Sequence, residues 1–330
     1  MPAITSENII GRAVVAVREH AALRDQPLLL ALLEYAPNEK GKLNIANKIL
    51  HCGDTYTEPE EQDCWGHMPQ LSDFFWRHIV IPVRVTGGKT PEPRTRVSRS
   101  GVSSAGAFRS PAEMAAVNDL KDLIESASTR DRHRCVISGK VDPEVIANRP
   151  GALSRGGTGF EVTRVTHIIP FSLRDSTATT SAGHLPAIWG ALECFGGTSL
   201  STLMHGGINA LDNVITLSAT LHRYFTELQV GLEPIPDAPH TYRVRTWGKV
   251  APRLGLPKTV KLSTASGVPL PNPAYLALHC AICRVLWSSA RAEELKEVLE
   301  DLEEVTLLAP DGSSANLINM AIYRSLAMES

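Results

Sequence analysis

Three short segments constrain the fold of this chain more than any other feature. The first is Val165-Thr166-His167-Ile168-Ile169-Pro170-Phe171. The second is Leu211-Asp212-Asn213-Val214-Ile215-Thr216-Leu217, and the third is Leu221-His222-Arg223-Tyr224-Phe225. β-Branched alternation from Glu161 to Phe171 predicts a strand that carries His167. Asn213 favours a turn just ahead of a second strand, Val214 to Leu217. Ser218 is a natural cap for a helix that presents His222. The spacing predicts a strand pair followed at once by a helix, with His167, Asn213 and His222 converging. Taken singly, these residues have plainer readings: a strand-end histidine satisfied by backbone, a turn asparagine and a surface histidine. Phe225 reads as core.

Together the three segments resemble the His-Asn-His core of HNH endonucleases. That family hydrolyses phosphodiesters with one metal ion held between a β-hairpin and a short helix. A second region, Arg132-His133-Arg134-Cys135-Val136-Ile137-Ser138-Gly139, resembles the opening of fungal-type HNH domains, and Leu270 to His279 resembles their tail. The resemblance covers roughly residues 130 to 305. It implies an α+β fold: a ββα-metal core elaborated by N- and C-terminal helices. By the same resemblance His167 is the general base, and Asn213 orients the base or the metal. His222 is the helix ligand, and Asn213 and Thr166 stand at further ligand positions. The implied cation is divalent, Mg²⁺ first, with Mn²⁺, Ni²⁺ or Zn²⁺ as alternatives. The implied substrate is DNA, with RNA left open. Thr166 stands where most relatives have Asp or His, and Thr226 stands where many have Asp. A hydroxyl is a poor ligand for a hard dication compared with a carboxylate.

That departure keeps two other readings in play. One is a non-catalytic HNH-fold binding or interaction module. The other is an HNH-fold enzyme reused for small-molecule chemistry. The chemistry of hydrolysis nonetheless suits the residue types, since it needs a base for water and stabilisation of the leaving oxygen. Imidazole titrates near neutral pH and can serve as that base.

Charge limits how such a protein meets nucleic acid. The net charge is −2, so any contact has to come from local patches rather than the whole surface. Residues 86–110 are rich in Gly, Ser, Pro and Thr and read as a basic flexible linker. They hold Lys89, Arg94, Arg96, Arg99 and Arg109 against the single acid Glu92. Arg94, Arg96 and Arg99 are candidate phosphate contacts, against the plainer reading of a solvated loop. Arg130, Arg132, His133 and Arg134 form a second cluster, and Arg223 is a weaker candidate on the His222 helix.

The organisation around these features reads as follows. Residues 1–85 are a mainly helical accessory region, with helices over Ile9 to Leu23 and Gln26 to Tyr35 and a β run over Ile79 to Val85. Residues 111–305 are the nuclease-like domain, opening on a helix from Pro111 toward Arg130. Between the two core strands an inserted helix, Leu185 to Phe195, either contacts substrate or packs. Tyr242 to Arg245 reads as a strand, and Ala290 to Glu304 as an acidic amphipathic helix. Residues 306–330 are a tail. The six cysteines are dispersed, and Cys280 and Cys283, in an apolar helical run, read as buried small hydrophobes. No segment reaches eighteen apolar residues, and there is no leader-like pattern. The expectation is an intracellular protein, nuclear or cytoplasmic, of open oligomeric state.

Overall fold

The computed structural model describes residues 5–54, 67–86, 111–148, 159–170, 173, 185–205, 207–264, 267–296 and 299. The basic segment with Arg94, Arg96 and Arg99, about half of the acidic C-terminal run and the tail fall outside these residues.

Three helices open the chain: α1 (Ser6–His20), α2 (Gln26–Tyr35) and α3 (Glu39–Asp54). They bury Ala13, Val17, Leu28, Leu32, Ile45 and Ile49 against one another. Next comes α4 (Met68–Phe75), which runs through a widened π turn, Trp76–Val80, into α5 (Ile81–Thr86). This corrects the β run expected over Ile79 to Val85. Ile79, Val80, Ile81 and Val83 are all buried, and an apolar run shielded on every side carries no period to separate strand from helix. The turn also accommodates Pro82: the Ile81 N–H reaches back to Trp76, and the next residue has no N–H to place.

Then follow α6 (Pro111–Arg130), α7 (Pro143–Asn148), β1 (Thr163–His167), α8 (Leu185–Gly196) and α9 (Ser201–Met204). The chain continues through β2 (Val214–Ser218), α10 (Ala219–Thr226), β3 (Val230–Pro234), β4 (Thr241–Thr246), β5 (Thr259–Lys261) and α11 (Pro273–Ser288). Strands β1 and β2 form an antiparallel pair, with His167 opposite Val214 and Thr163 opposite Ser218. Strands β3, β4 and β5 form a separate antiparallel sheet in that order. The protein is therefore a mixed α+β structure with small antiparallel sheets.

The pair β1–β2 has two covered faces, because side chains alternate along a strand. Val165 and Val214 lie on one face and pack with Leu120, Leu123 and Ala127 of α6. Ile215 and Leu217 lie on the other and join the main core with Leu221 and Phe225 of α10. That same core takes in the N-terminal helices, α8, β3 and α11.

The inserted helix α8 is a packing element. It buries Ile188, Trp189, Leu192 and Phe195 and lies against α3 and the π turn. Two asparagines tie its C-terminal end down: Asn38 Nδ2 donates to Gly196 O at 2.7 Å, and Asn44 Nδ2 to Cys194 O at 2.9 Å. Gly197 then turns the chain with φ of 58°. A Cβ there would collide with Asn38 Oδ1 and the Gly41 backbone. Gly197→Ala is expected to destabilise the fold by at least about 1–2 kcal/mol, from the left-handed backbone alone. An unchanged urea midpoint for the variant would contradict this account of the α3–α8 contact.

Candidate active site on the hairpin and its helix

His167 is the last residue of β1 and is only 6 % exposed. Its Nε2 lies 3.1 Å from Asn209 Oδ1. An amide oxygen only accepts, so Nε2 carries the proton and the lone pair sits on Nδ1. Burial pulls the imidazole pKa down to about 4, with the Asn209 bond opposing. His167 is thus neutral at pH 7, the form a base requires.

Asn213 has no exposed surface. Its Oδ1 accepts from Ile169 N at 2.9 Å, and its Nδ2 donates to Ile169 O and Ile208 O, each at 3.0 Å. Its backbone oxygen also accepts from Ile168 N at 2.8 Å. These bonds stitch the chain leaving His167 to the start of β2. Both amide protons are committed to backbone, and the oxygen is sealed. In this geometry Asn213 fixes the loop after His167.

His222 sits half-buried on α10, directly after β2. The helix starts there for two reasons. Ser218 Oγ accepts from Leu221 N at 3.5 Å, and the Glu161 carboxylate accepts from Thr220 N at 2.8 Å. A carboxylate at this end also complements the helix dipole. Burial alone would raise the Glu161 pKa, but the bonds from Lys140 and Thr220 outweigh it and hold it low. At its far end α10 is fixed by a stack of Phe225 on His279, with centroids 3.8 Å apart and planes 3° from parallel. His279 Nε2 is 3.2 Å from Phe225 O, and its Nδ1 lies 3.7 Å from Cys283 Sγ. Cys280 and Cys283 are buried, as their apolar run suggests.

Thr166 shares its face of the hairpin with Ile215, on the core side. Its hydroxyl is buried without a hydrogen-bond partner. A buried unpartnered hydroxyl offers one oxygen donor to a cation, but does not complete a site. Hard dications take oxygen donors, carboxylates above all. Among the described residues no three His, Cys, Asp or Glu side chains cluster to hold an ion. With Asn213 committed elsewhere, Thr166 and His222 do not by themselves fit Mg²⁺.

The basic residues divide. Arg132 is exposed and Arg134 half-buried, in a turn where Arg132 and His133 adopt left-handed backbone. Arg223 is exposed, lies 3.3 Å from Glu227 and sits over the Tyr224 ring. Arg130 leaves the expected phosphate-facing cluster: it has no exposed surface. Its guanidinium grips Asp131, at 2.8 and 2.9 Å, and donates to Leu211 O, Val214 O and Pro269 O. Asp131 in turn accepts from Thr216 N. This pair, with Asn209 and His279, is what the sequence reading missed. An Asp beside an Arg at a helix end, and a His inside an apolar run, were the available signals.

Residues 135–233 match the family model described as HNH endonuclease. They form an HNH-family domain. Its span runs from the Cys135 turn through both hairpin strands and α10 to the end of β3. The Cys135 turn earns its place in the HNH domain by bonding Val136 N to Thr216 O of β2 at 2.9 Å. Arg130, Asp131 and His279 lie outside the matched span yet brace it. No curated protein and no solved structure matches the chain. No helix among the described residues is long and apolar enough to cross a membrane.

The two buried histidines give the fold a pH signature. Burial lowers His279 to about 3, against its bond to Phe225 O, and His167 to about 4. An unfolded chain protonates histidine near pH 6.5, whereas the folded one resists. Below about pH 6.5 the unfolded state therefore binds more protons, and stability falls as pH drops toward about 4. Each histidine contributes a slope of roughly 1.4 kcal/mol per pH unit across that window. Urea unfolding from about pH 7 to 4 is expected to show the decline, and His279→Phe is expected to flatten it. A pH-independent midpoint in that window would contradict the neutral, buried state of both rings.

Proposed function

We propose that this protein hydrolyses phosphodiester bonds of nucleic acid, with DNA as substrate. The observation that carries the reading is an HNH-family match falling on a hairpin whose first strand ends in a neutral, hydrogen-bonded histidine. In this reading His167 Nδ1 takes the proton from the attacking water, while Asn209 holds Nε2 and fixes the tautomer. Asn213 keeps the loop after His167 in place. Arg132, Arg134 and Arg223 approach backbone phosphates, which positions a duplex without reading its sequence. The basic segment with Arg94, Arg96 and Arg99 is proposed to do the same. Neutralising those three is expected to make the salt dependence of binding shallower. A nuclear or cytoplasmic site of action goes with such a substrate.

HNH nucleases typically use a divalent ion. The donors described here do not complete a site for one, so no step is assigned to it. The test is conversion of supercoiled plasmid to nicked or linear forms, with Mg²⁺, Mn²⁺, Ni²⁺ or Zn²⁺ supplied in turn and with EDTA as control. Calorimetric titration of the same ions into wild type and His222→Ala reports whether His222 holds one. Absence of cleavage under every condition would remove the nuclease reading.

A second reading, a nucleic-acid-binding module without hydrolysis, is favoured by the missing carboxylate at Thr166 and by the small exposure of His167. It predicts DNA binding with no cleavage in the same experiment.

A further inference from the structure

We infer that the groove between α3 and α8 is a second contact surface for duplex DNA, separate from the hairpin site. This rests on the nucleic-acid reading given above and extends it to α3, which lies outside the family match. The groove has a volume of about 610 Å³. One wall is a single stripe of α3: Lys40, Asn44, Asn47, Lys48 and His51. Positions three and four apart share one helix face, so these five side chains form a continuous polar row. Lys40, Asn47, Lys48 and His51 are exposed. From Lys40 to His51 the row runs roughly 16 Å along the helix axis at the standard rise. Duplex DNA carries one charge per roughly 1.7 Å of its axis, so the row is long enough to meet several phosphates.

Charge identifies the occupant. Neither Lys40 nor Lys48 has an ion pair among the described residues, so neither charge is neutralised within that part of the fold. The opposite wall contributes one carboxylate, Glu193. Its Oε1 is turned to the following turn, accepting from Leu200 N at 2.6 Å and Ser199 Oγ at 3.2 Å. Asn44 is anchored to Cys194 O, which fixes the row against α8. Lysines and amides on a rigid helix are the groups that bind phosphate oxygens without reading bases. In a chain of net charge −2 such a row stands out as a place for a polyanion.

The experiment uses the full chain in EDTA and a fluorescently labelled duplex, with anisotropy read over a salt series. Lys40→Gln/Lys48→Gln is compared with wild type and with Lys258→Gln/Lys261→Gln, an equal charge change at exposed residues elsewhere. The groove variant is expected to bind roughly tenfold more weakly, for unrelated sequences alike, with a salt slope lower by about two. The control pair is expected to retain wild-type binding, and both variants wild-type melting temperatures. If wild type binds and the groove variant matches it in affinity and slope, the groove inference fails while the nuclease reading stands. An equal loss in the control pair also overturns it, since the effect would be one of net charge. If wild type neither binds duplex nor cuts plasmid, the nuclease reading fails and the groove inference with it.

Discussion

Arg130→Met is expected to destabilise the protein by about 3–5 kcal/mol, a loss large enough to threaten folding altogether. The guanidinium has no exposed surface and makes five hydrogen bonds, to the Asp131 carboxylate and to the carbonyls of Leu211, Val214 and Pro269. Methionine fills similar space but supplies no donor. It leaves the Asp131 carboxylate buried without its cation, and the Leu211, Val214 and Pro269 carbonyls without the donor that Arg130 supplies. Arg130→Lys keeps the charge but loses the planar fork, so a smaller loss is expected. Arg130→Met/Asp131→Asn removes both charges and is expected to recover part of the stability. Urea unfolding of the three variants makes the comparison. An Arg130→Met protein within about 1 kcal/mol of wild type would mean that the pair does not clamp the hairpin.

His167→Ala is expected to lower plasmid cleavage by at least about 10²-fold, the usual contribution of a positioned general base. Duplex binding is expected to change little, because the imidazole is not a phosphate contact. The substitution opens a small space beside Asn209, so folding has to be checked by melting temperature. His167→Gln retains most of the volume and a polar group near Asn209, and serves as the second variant. Cleavage at the wild-type rate in both would remove His167 from the chemistry. Asn209→Ala tests the positioning role: a drop in turnover with unchanged duplex affinity is expected.

Much of this arrangement was legible in the residues. Period-two alternation with β-branched side chains gave β1 and β2, and Ser218 marked the start of α10, because those signals are local. Pro111 and apolar spacing likewise marked α6. The run Ile79 to Val85 misled because burial on all sides removes the very periodicity that separates strand from helix. At the site, His167, Asn213 and His222 were visible by type and spacing. Asn213's actual work was not, since its partners are the backbone of residues 169 and 208, which no side-chain motif encodes. Arg130 misled for a similar reason. A cation beside other cations suggests solvent, and only the chain's return at residues 211 to 214 and 269 buries it. Long-range closure decides such cases, and sequence proximity says little about it.

The main apolar core passes without a seam from the N-terminal helices through α8 to α10, β3 and α11. The stretch that carries the family signature therefore does not correspond to a separable piece. Cut out at residues 135 and 233, it would expose the Trp189 and Phe195 side of α8, strip Phe225 of its His279 partner and leave β3 without α11. It would also lose Arg130 and Asp131. Attempts to express a minimal fragment around the family match, or to graft this hairpin and helix onto another scaffold, have to carry α3, α6 and α11 along with it.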